Sequence, residues 1–293
     1  MTIIHSSKKS RIKKFIPPIL TNNIIYFRNY FNFLRYKYLL LNNIKLKNIH
    51  EGERCFILGS GPSIINQDLI PLQNEIVFAL NNFYVHSDFS KIMSGNKGNY
   101  YITAPIHPPQ TEKEWKDWLC DMEDKMPKKS TMIFGLNRND INIKYICDQY
   151  NLYNKYKIYW YFSGKIVNDY YSYSPKDINI TRMIWTADTV SIFALIFAIY
   201  MGFNEIYMLG MDHNYICNNK SKQRFYQNGI HQYNEEERLL KGSSEVKHSS
   251  KALYNIFSQY EMLKNNTSNR IYNISDNSLL DVFDYVKLSD IIK

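Results

Sequence analysis

The stretch ADTVSIFALIFAIYMGFNEIYMLGM, residues 187 to 211, decides the fold because it joins an apolar helix pattern to an apolar strand pattern. Its first part is apolar almost all round, as expected of a buried helix, and Gly202 stands where a helix C-cap often carries glycine. Its second part, Glu205 to Met211, is an apolar run of strand length. A buried helix that feeds a buried strand is typical of α/β proteins.

Six further apolar runs have strand length, and longer segments separate them. They are RCFIL (54–58), EIVFAL (75–80), YYIT (100–103), TMIFGL (131–136), KIYWYF (157–162) and RIYNI (270–274). This alternation predicts an α/β fold with a mostly parallel sheet that is covered on both faces. In such sheets, ligands bind beyond the carboxyl ends of the strands.

Positive charge is concentrated at the beginning of the chain. The first 50 residues hold ten Lys or Arg and no Asp or Glu, whereas the rest of the chain holds 26 basic and 27 acidic residues. The segment IIYFRNYFNFLRYKYLLLNNIKL, residues 24 to 46, interleaves aromatic, aliphatic and basic side chains at roughly helical spacing. We therefore divide the chain into a basic helical arm (1–50) and one domain (51–293).

The arm has two interpretations from sequence. It is either a surface helix on anionic lipid headgroups, or a helix that packs on the domain with its basic face in water. Nucleic-acid binding is not expected. Arg28, Arg35 and Lys37 interrupt the apolar run well short of the ~20 residues of a transmembrane helix, and no signal-peptide cleavage pattern follows.

The four cysteines are widely spaced and form neither a CxxC pair nor a zinc-ligand pattern. We interpret them as reduced thiols of a cytoplasmic protein that is peripheral on the inner membrane. The sequence leaves the oligomeric state open.

The stretch RCFILGSGPSI, residues 54 to 64, reads as a strand, a glycine turn and the beginning of a helix at Pro62. Gly59 and Gly61 would let a ligand approach the backbone closely, and amides at a helix start can hold a phosphate. Ile64 stands where a dinucleotide fingerprint has its third glycine, and no Walker lysine follows. A tight structural turn without a ligand is therefore the alternative.

Polar residues follow two more of the predicted strands. Asn81 and Asn82 come after EIVFAL, and Asp212 and His213 come after EIYMLGM. Since parallel strands end at one edge of a sheet, these side chains and the glycine turn should meet there. This convergence predicts a nucleotide-binding site.

Five motifs in order, FILGSGPSI, LNNFYV, AIYMGFNEIYMLGMDHNY, KHSSKALYNIFSQY and RIYNISDNSLLDVF, resemble the bacterial sialyltransferases of glycosyltransferase family 42. The wider relatives are the motility accessory factors and hydroxymethylpterin-pyrophosphokinase-like proteins. The resemblance covers roughly residues 52 to 285 and implies a single Rossmann-like domain with a small lid. It further implies metal-independent, inverting transfer of sialic acid or a related nonulosonic acid from a CMP-activated donor to a lipid-linked glycan such as lipooligosaccharide or capsule.

The resemblance also implies roles for individual residues. The donor-binding positions are Gly59, Ser60, Gly61, Pro62, Ser63, Asn81, Thr186 and Thr189, and Ser60 stands where the Campylobacter enzymes have asparagine. The tyrosines that stabilise the leaving phosphate have no clean counterpart, and Tyr215 and Tyr226 are the candidates. Asp212 matches the strand-end aspartate, and His248 matches the general base. No cofactor is implied.

The chemistry of such a transfer agrees with these residue types. An oxocarbenium-like transition state needs a stabilised leaving phosphate and a base for the acceptor hydroxyl, which a histidine suits. No Asp-x-Asp triplet for a metal occurs in the chain. His213 is the rival base. Residues 216 to 247 are polar and predict a lid, in which Lys220, Lys222 and Arg224 could meet phosphate.

Two other functions stay open. An ATP- and Mg²⁺-dependent pyrophosphokinase-like enzyme would want several carboxylates at the strand ends, where Asp212 is placed and Asp68 and Asp188 are more distant candidates. A non-catalytic peripheral membrane scaffold would keep the fold without the chemistry.

Overall fold

The structure is a computed structural model, and it describes residues 18–108, 110–167, 178–217, 224–226 and 245–292, without the side chains of residues 18–21, 215 and 245–248. Among these residues, nine strands form one sheet in which every pair is parallel. The strands are β1 (Arg54–Leu58), β2 (Ile76–Leu80), β3 (Asn99–Thr103), β4 (Thr131–Leu136), β5 (Lys157–Lys165), β6 (Ile184–Trp185), β7 (Glu205–Leu209), β8 (Arg270–Asn273) and β9 (Asp284–Tyr285). The α-helices are α1 (Pro18–Leu40), α2 (Phe89–Met93), α3 (Glu112–Lys125), α4 (Ile143–Tyr150), α5 (Val190–Tyr200), α6 (Glu245–Asn265) and α7 (Leu288–Ile291).

The predicted α/β class is confirmed, and the seven predicted strands all occur. The sheet is parallel throughout, where the sequence predicted a mostly parallel one. Two strands were not predicted, β6 and β9, because a run of two residues carries no periodicity. The buried helix α5 ends near Met201, and Gly202 has φ +87°, as its assignment to the C-cap region required.

Both faces of the sheet are buried, and this explains the near-continuous apolar strands. Along β1, Cys55 and Ile57 point into a core that contains α5, whereas Phe56 and Leu58 point into a core that contains parts of α1, α3 and α4. Alternate side chains of one strand thus enter two different layers. The molecule is a three-layer α/β sandwich of the Rossmann-like type.

The strand order is β6-β5-β4-β3-β2-β1-β7-β8-β9. From β1 the chain builds outward to β6 on one side, and then returns to place β7 against the other side of β1. The direction of winding therefore reverses between β1 and β7. In open parallel sheets, the crevice at the carboxyl ends of two such strands is the usual ligand site.

The arm helix α1 lies against β5. The Asn29 side-chain amide donates a hydrogen bond of 2.7 Å to the Gly164 carbonyl, and the Phe33 ring packs edge-on against Phe162. Further along, the Asn43 amide donates to the carbonyls of Trp160 and Ile180, at 2.8 Å each. One face of the arm is therefore part of the sheet's covering layer.

Within the described residues, no helix is long and apolar enough to cross a membrane. Most of the predicted lid, residues 216 to 247, lies outside the described part of the chain, including Lys220 and Lys222.

Candidate functional site

A pocket of about 440 Å³ lies at the carboxyl edge of the sheet, where the winding reverses. Residues that follow β1, β2 and β7 line it, among them Gly59, Asn81 and Asp212. The three strand ends that the sequence singled out are therefore neighbours, because β2, β1 and β7 are consecutive in the sheet.

The glycine turn packs tightly against the end of β7. The amide of Gly59 donates to the Leu209 carbonyl at 2.8 Å, and the amide of Gly61 donates to the Gly210 carbonyl at 2.9 Å. A Cβ added to Gly59 would lie 2.6 Å from the Gly210 oxygen. The close approach of two backbone segments thus explains this glycine without a ligand.

Asp212 occupies the place where the sequence predicted an external anion. Its carboxylate accepts a hydrogen bond of 2.8 Å from the Ser63 amide and one of 2.5 Å from the Ser63 hydroxyl. A Cβ on Gly61 would lie 2.5 Å from the Asp212 carboxyl carbon. The amide and hydroxyl of Ser63, just after the turn, therefore bind a carboxyl group that belongs to the chain itself.

Burial has the larger effect on the Asp212 carboxyl group. Loss of solvent raises the pKa of Asp212 above its usual value, although the Ser63 hydrogen bonds and the Arg224 charge act in the opposite direction. The Asp212 carboxyl group holds Ser63 and thereby fixes the short 3₁₀ helix Pro62–Asn66. A 3₁₀ helix of five residues stands where the sequence predicted the beginning of a helix.

Asn81 lies at the end of β2 with φ +45°, in the left-handed region that asparagine tolerates. Its carbonyl accepts from the Tyr101 hydroxyl, and its side-chain oxygen accepts a long bond of 3.4 Å from the Ala104 amide. The backbone of Asn81 is thus fixed by its neighbours while the residue lines the pocket.

His213 is the first member of a series of hydrogen bonds whose last member, Thr189, also lines the pocket. Its Nε2 lies 3.1 Å from the Tyr260 hydroxyl, which lies 2.6 Å from the Ser191 hydroxyl, and Ser191 lies 3.1 Å from the Thr189 hydroxyl. Burial, with a smaller effect of the Arg224 charge, lowers the pKa of His213 to about 4. The imidazole is therefore neutral at physiological pH and can accept a proton.

Arg224 brings positive charge to the glycine turn. Its guanidinium Nη1 donates to the Ser60 hydroxyl at 3.4 Å, and the next amide, that of Phe225, donates to the Ser60 carbonyl at 3.0 Å. The short described segment 224–226 therefore lies on the turn, and Arg224 lines the pocket.

The predicted site residues fall into three groups. Those that line the pocket are Gly59, Ser60, Gly61, Asn81, Thr186, Thr189, Asp212 and His213. Pro62 and Ser63 do not line it, and Tyr226 accepts a hydrogen bond of 3.2 Å from the Asn82 amide, beside the pocket. The side chains of Tyr215 and His248 lie outside the described residues, and the backbone of His248 belongs to the first turn of α6.

Sequence reasoning missed three polar residues of the pocket, namely His107, Asn137 and Ser163, whereas Asp188, a more distant candidate from the sequence, does line it. Asn137 follows β4 directly, and Ser163 lies near the end of β5. The strand-end rule that found Asn81 and Asp212 would have found these two as well. Asp68 lies away from this pocket, beside Asp276 in a separate surface cavity.

Among the described residues, no three His, Cys, Asp or Glu side chains come together as a metal site would need. Asp188 and Asp212 do line the same pocket.

Fold and site together define an α/β protein of the Rossmann-like type with a polar pocket at the switch point of its parallel sheet. A comparison with protein-family models, curated proteins and solved structures gives no significant match in any of the three.

Proposed function

We propose that the protein is a glycosyltransferase that transfers sialic acid or a related nonulosonic acid from a CMP-activated donor to a glycan hydroxyl. The observation that carries the proposal is the meeting of the Ser60 turn, Asn81, His213 and Arg224 in one switch-point pocket. Its volume of about 440 Å³ lies within the range of about 300–1,000 Å³ that small-molecule sites occupy.

Arg224 is the group to which we assign the donor phosphate. The amides of Gly59, Gly61 and Ser63 already donate within the protein, and Pro62 has no amide hydrogen. A guanidinium offers several donors in one plane and suits a phosphate or a sugar carboxylate. Its place on the turn supports a donor whose phosphate lies beside Ser60.

In the transfer, the acceptor oxygen forms a bond to the anomeric carbon while the bond from that carbon to the phosphate oxygen breaks. CMP leaves with the bonding electron pair, and a base takes the acceptor proton. His213 lines the pocket and is neutral, as a base must be, although a pKa of about 4 makes it a weak one. His248 is the base that the family resemblance implies; its backbone lies in the first turn of α6, about three turns before Tyr260, whose hydroxyl contacts His213.

A second candidate function is ATP- and Mg²⁺-dependent pyrophosphoryl transfer. The observation that favours it is the presence of Asp188 and Asp212 in the same pocket, since carboxylates are the ligands that Mg²⁺ prefers. Asp212 is already bound to Ser63, which counts against it as a metal ligand.

Calorimetric titration of the full chain with CMP and with ATP, each in EDTA and in Mg²⁺, tests the two functions. The glycosyltransferase predicts CMP binding in EDTA. Binding of ATP only with Mg²⁺, and none of CMP, would select the pyrophosphokinase-like function. Binding of neither nucleotide would favour a non-catalytic scaffold.

Substitution of Arg224 tests the phosphate assignment. Hydrogen bonds to charged groups contribute about 1.5–3 kcal/mol, so Arg224→Gln should weaken CMP affinity by roughly ten- to a hundred-fold. Arg182→Gln is the matched control, because Arg182 is exposed and does not line the pocket. Equal effects of the two substitutions would contradict the assignment.

Substitution of each histidine identifies the base. Loss of a general base lowers turnover by about two to four orders of magnitude, whereas the base touches the acceptor and not CMP. We expect either His213→Asn or His248→Ala to abolish transfer with CMP affinity retained. Near-normal transfer by both variants would exclude His213 and His248 as the base.

A further inference from the structure

The arm helix α1 carries a continuous apolar surface on the side that faces away from β5. Its members recur at alternating spacings of three and four residues, which places them on one side of a helix. They are between 42% and 66% exposed. We call this surface the outer face of α1, and it consists of Ile24, Phe27, Phe31, Leu34, Tyr38 and, in the following turn, Leu41.

The outer face is not needed to hold the helix on the sheet. The opposite side does this, through Asn29 on the Gly164 carbonyl and the buried side chains of Phe33 and Leu40. Isolated exposed apolar residues are ordinary, but six in register on one helix mark an interaction surface.

Basic residues lie along both margins of the outer face. In a helix, Arg28 and Arg35 follow Phe27 and Leu34 by one position and fall about a quarter turn to one side, and Lys37 falls about as far to the other side. Arg35 is 3.9 Å from Asp140, and both side chains are largely exposed. An apolar centre with cationic margins is the pattern of helices that lie in a membrane interface, where long basic side chains reach the headgroups.

Charge distinguishes between a second copy of α1 and a lipid surface as the partner of the outer face. Residues 1 to 50 contain no acidic side chain to set against their ten basic ones. A second copy of α1 would therefore bring cation against cation, whereas an anionic lipid surface supplies the opposite charge.

The direction of α1 relates this face to the pocket. Asn29 contacts Gly164, near the carboxyl end of β5, whereas Asn43 contacts Trp160, nearer its amino end. The helix is thus antiparallel to β5, and its first half extends past the carboxyl edge of the sheet. Ser163, next to Gly164, lines the pocket at that same edge.

We propose that the outer face of α1 docks on an anionic lipid bilayer, with its apolar side chains in the headgroup region and Arg28, Arg35 and Lys37 on lipid phosphates. Docking in this way lays the α1-covered face of the sheet along the membrane, while the pocket lies at the carboxyl edge and is lined partly by residues of the α5 layer. The inference rests on the surface of α1 and is independent of the proposed transferase activity.

Sedimentation with lipid vesicles tests the proposal on the full chain. Vesicles of phosphatidylcholine and phosphatidylglycerol in equal parts should bind the protein in a salt-sensitive way, and pure phosphatidylcholine should bind it much more weakly. Burial of one phenylalanine side chain contributes about 1.5–3 kcal/mol, so Phe31→Glu should lower partitioning by roughly ten-fold or more.

A separate variant removes charge alone. Each basic residue near an anionic surface contributes about 1 kcal/mol, so Arg28→Gln with Lys37→Gln should lower partitioning about five-fold for each charge removed. Ile65→Glu is the control for a new acidic group, because Ile65 is 51% exposed and lies outside the arm. It should bind vesicles as the unchanged protein does.

Three results would overturn the proposal. The first is that the unchanged chain does not bind the mixed vesicles. The second is that Phe31→Glu and the charge variant both bind as the unchanged chain does, in which case residues 1 to 17 are sufficient. The third is that light scattering shows a dimer that Phe31→Glu dissociates, which makes a second copy the occupant. Deletion of residues 1 to 50 is a poorer test, because it would also remove Phe33 and Leu40 from the core.

Discussion

Gly61→Ala tests whether the glycine turn is built around Asp212. Gly61 has φ −65° and ψ 154°, a conformation that alanine adopts freely, so the substitution causes no backbone strain. The three atoms nearest to the added Cβ all belong to the carboxyl group, its carbon at 2.5 Å and its two oxygens at 2.6 and 2.7 Å. Asp212 must therefore move.

Movement of Asp212 has a definable cost. It would break two hydrogen bonds from Ser63, each contributing about 1.5–3 kcal/mol when the acceptor is charged. Release of a buried carboxylate to water returns part of this, and alanine restricts the unfolded chain by about 0.4–1 kcal/mol in favour of folding. We expect a net loss of about 3 kcal/mol, and at about 2–4 °C per kcal/mol the melting temperature should fall by roughly 6–12 °C.

The assay is urea unfolding of Gly61→Ala, Asp212→Ala and the double variant. Because Asp212→Ala removes the atoms that the new Cβ would meet, Gly61→Ala should cost less than about 1 kcal/mol in that background. Gly52→Ala is the comparison for backbone strain alone, since Gly52 has φ +85° and open space around its added Cβ. Wild-type stability of Gly61→Ala, or an equal cost in both backgrounds, would refute the close packing of Gly61 and Asp212.

Three further outcomes are expected. His213 has a folded pKa of about 4, below its usual 6.5, so its contribution to stability is present above pH 6.5 and is lost as the pH falls through 4. In His213→Asn, where asparagine tolerates φ +50°, the free energy of unfolding measured in urea should fall less over that pH window, by about 3 kcal/mol at most. Asp212 has a raised pKa, so its contribution is fully present below its unfolded pKa and declines as the pH rises through the folded value, and the same assay should show no such decline in Asp212→Asn. Asn29→Ala removes the bond to Gly164 and should raise proteolytic cleavage of the arm, whereas Asn32→Ala, on an exposed side chain that donates to the Arg28 carbonyl of its own helix, should not.

The strands were predictable because their apolar runs are continuous. Cys55 to Leu58 are all buried, alternately in two layers, and a chain buried on both faces has no polar position to interrupt the run. The position of the site was predictable as well, because the carboxyl ends of parallel strands lie at one edge of a sheet, and polar residues follow β1, β2 and β7 there. Neither conclusion required knowledge of which strands are neighbours.

The contacts inside the site were not predictable in the same way. Asp212 and Ser63 are 149 positions apart in the chain, and no local pattern shows that the carboxylate fills the turn. Tyr260 is similar, because it reads as one apolar position of α6 and its hydroxyl proves to connect His213 to Ser191. The outer face of α1 was visible as apolar spacing, but only its placement opposite β5 separates it from the buried side.

Because Asp212 occupies the glycine turn, the groups that the pocket offers a ligand differ from those of a phosphate-binding turn. In a phosphate-binding turn the amide hydrogens point outward, but here Gly59, Gly61 and Ser63 direct theirs to β7 and to Asp212. Apart from the Ser60 amide, which has no acceptor among the described residues, the donors for an anionic ligand must then come from side chains, and Arg224 bonds to the same turn through Ser60. Arg224 lies in the connection between β7 and α6 and follows six residues outside the described chain. A ligand that binds Arg224 therefore also acts on that connection. A nucleotide should therefore protect backbone amides on both sides of Arg224 from hydrogen exchange, and protection confined to residues 59 to 63 would restore the turn as the anion site.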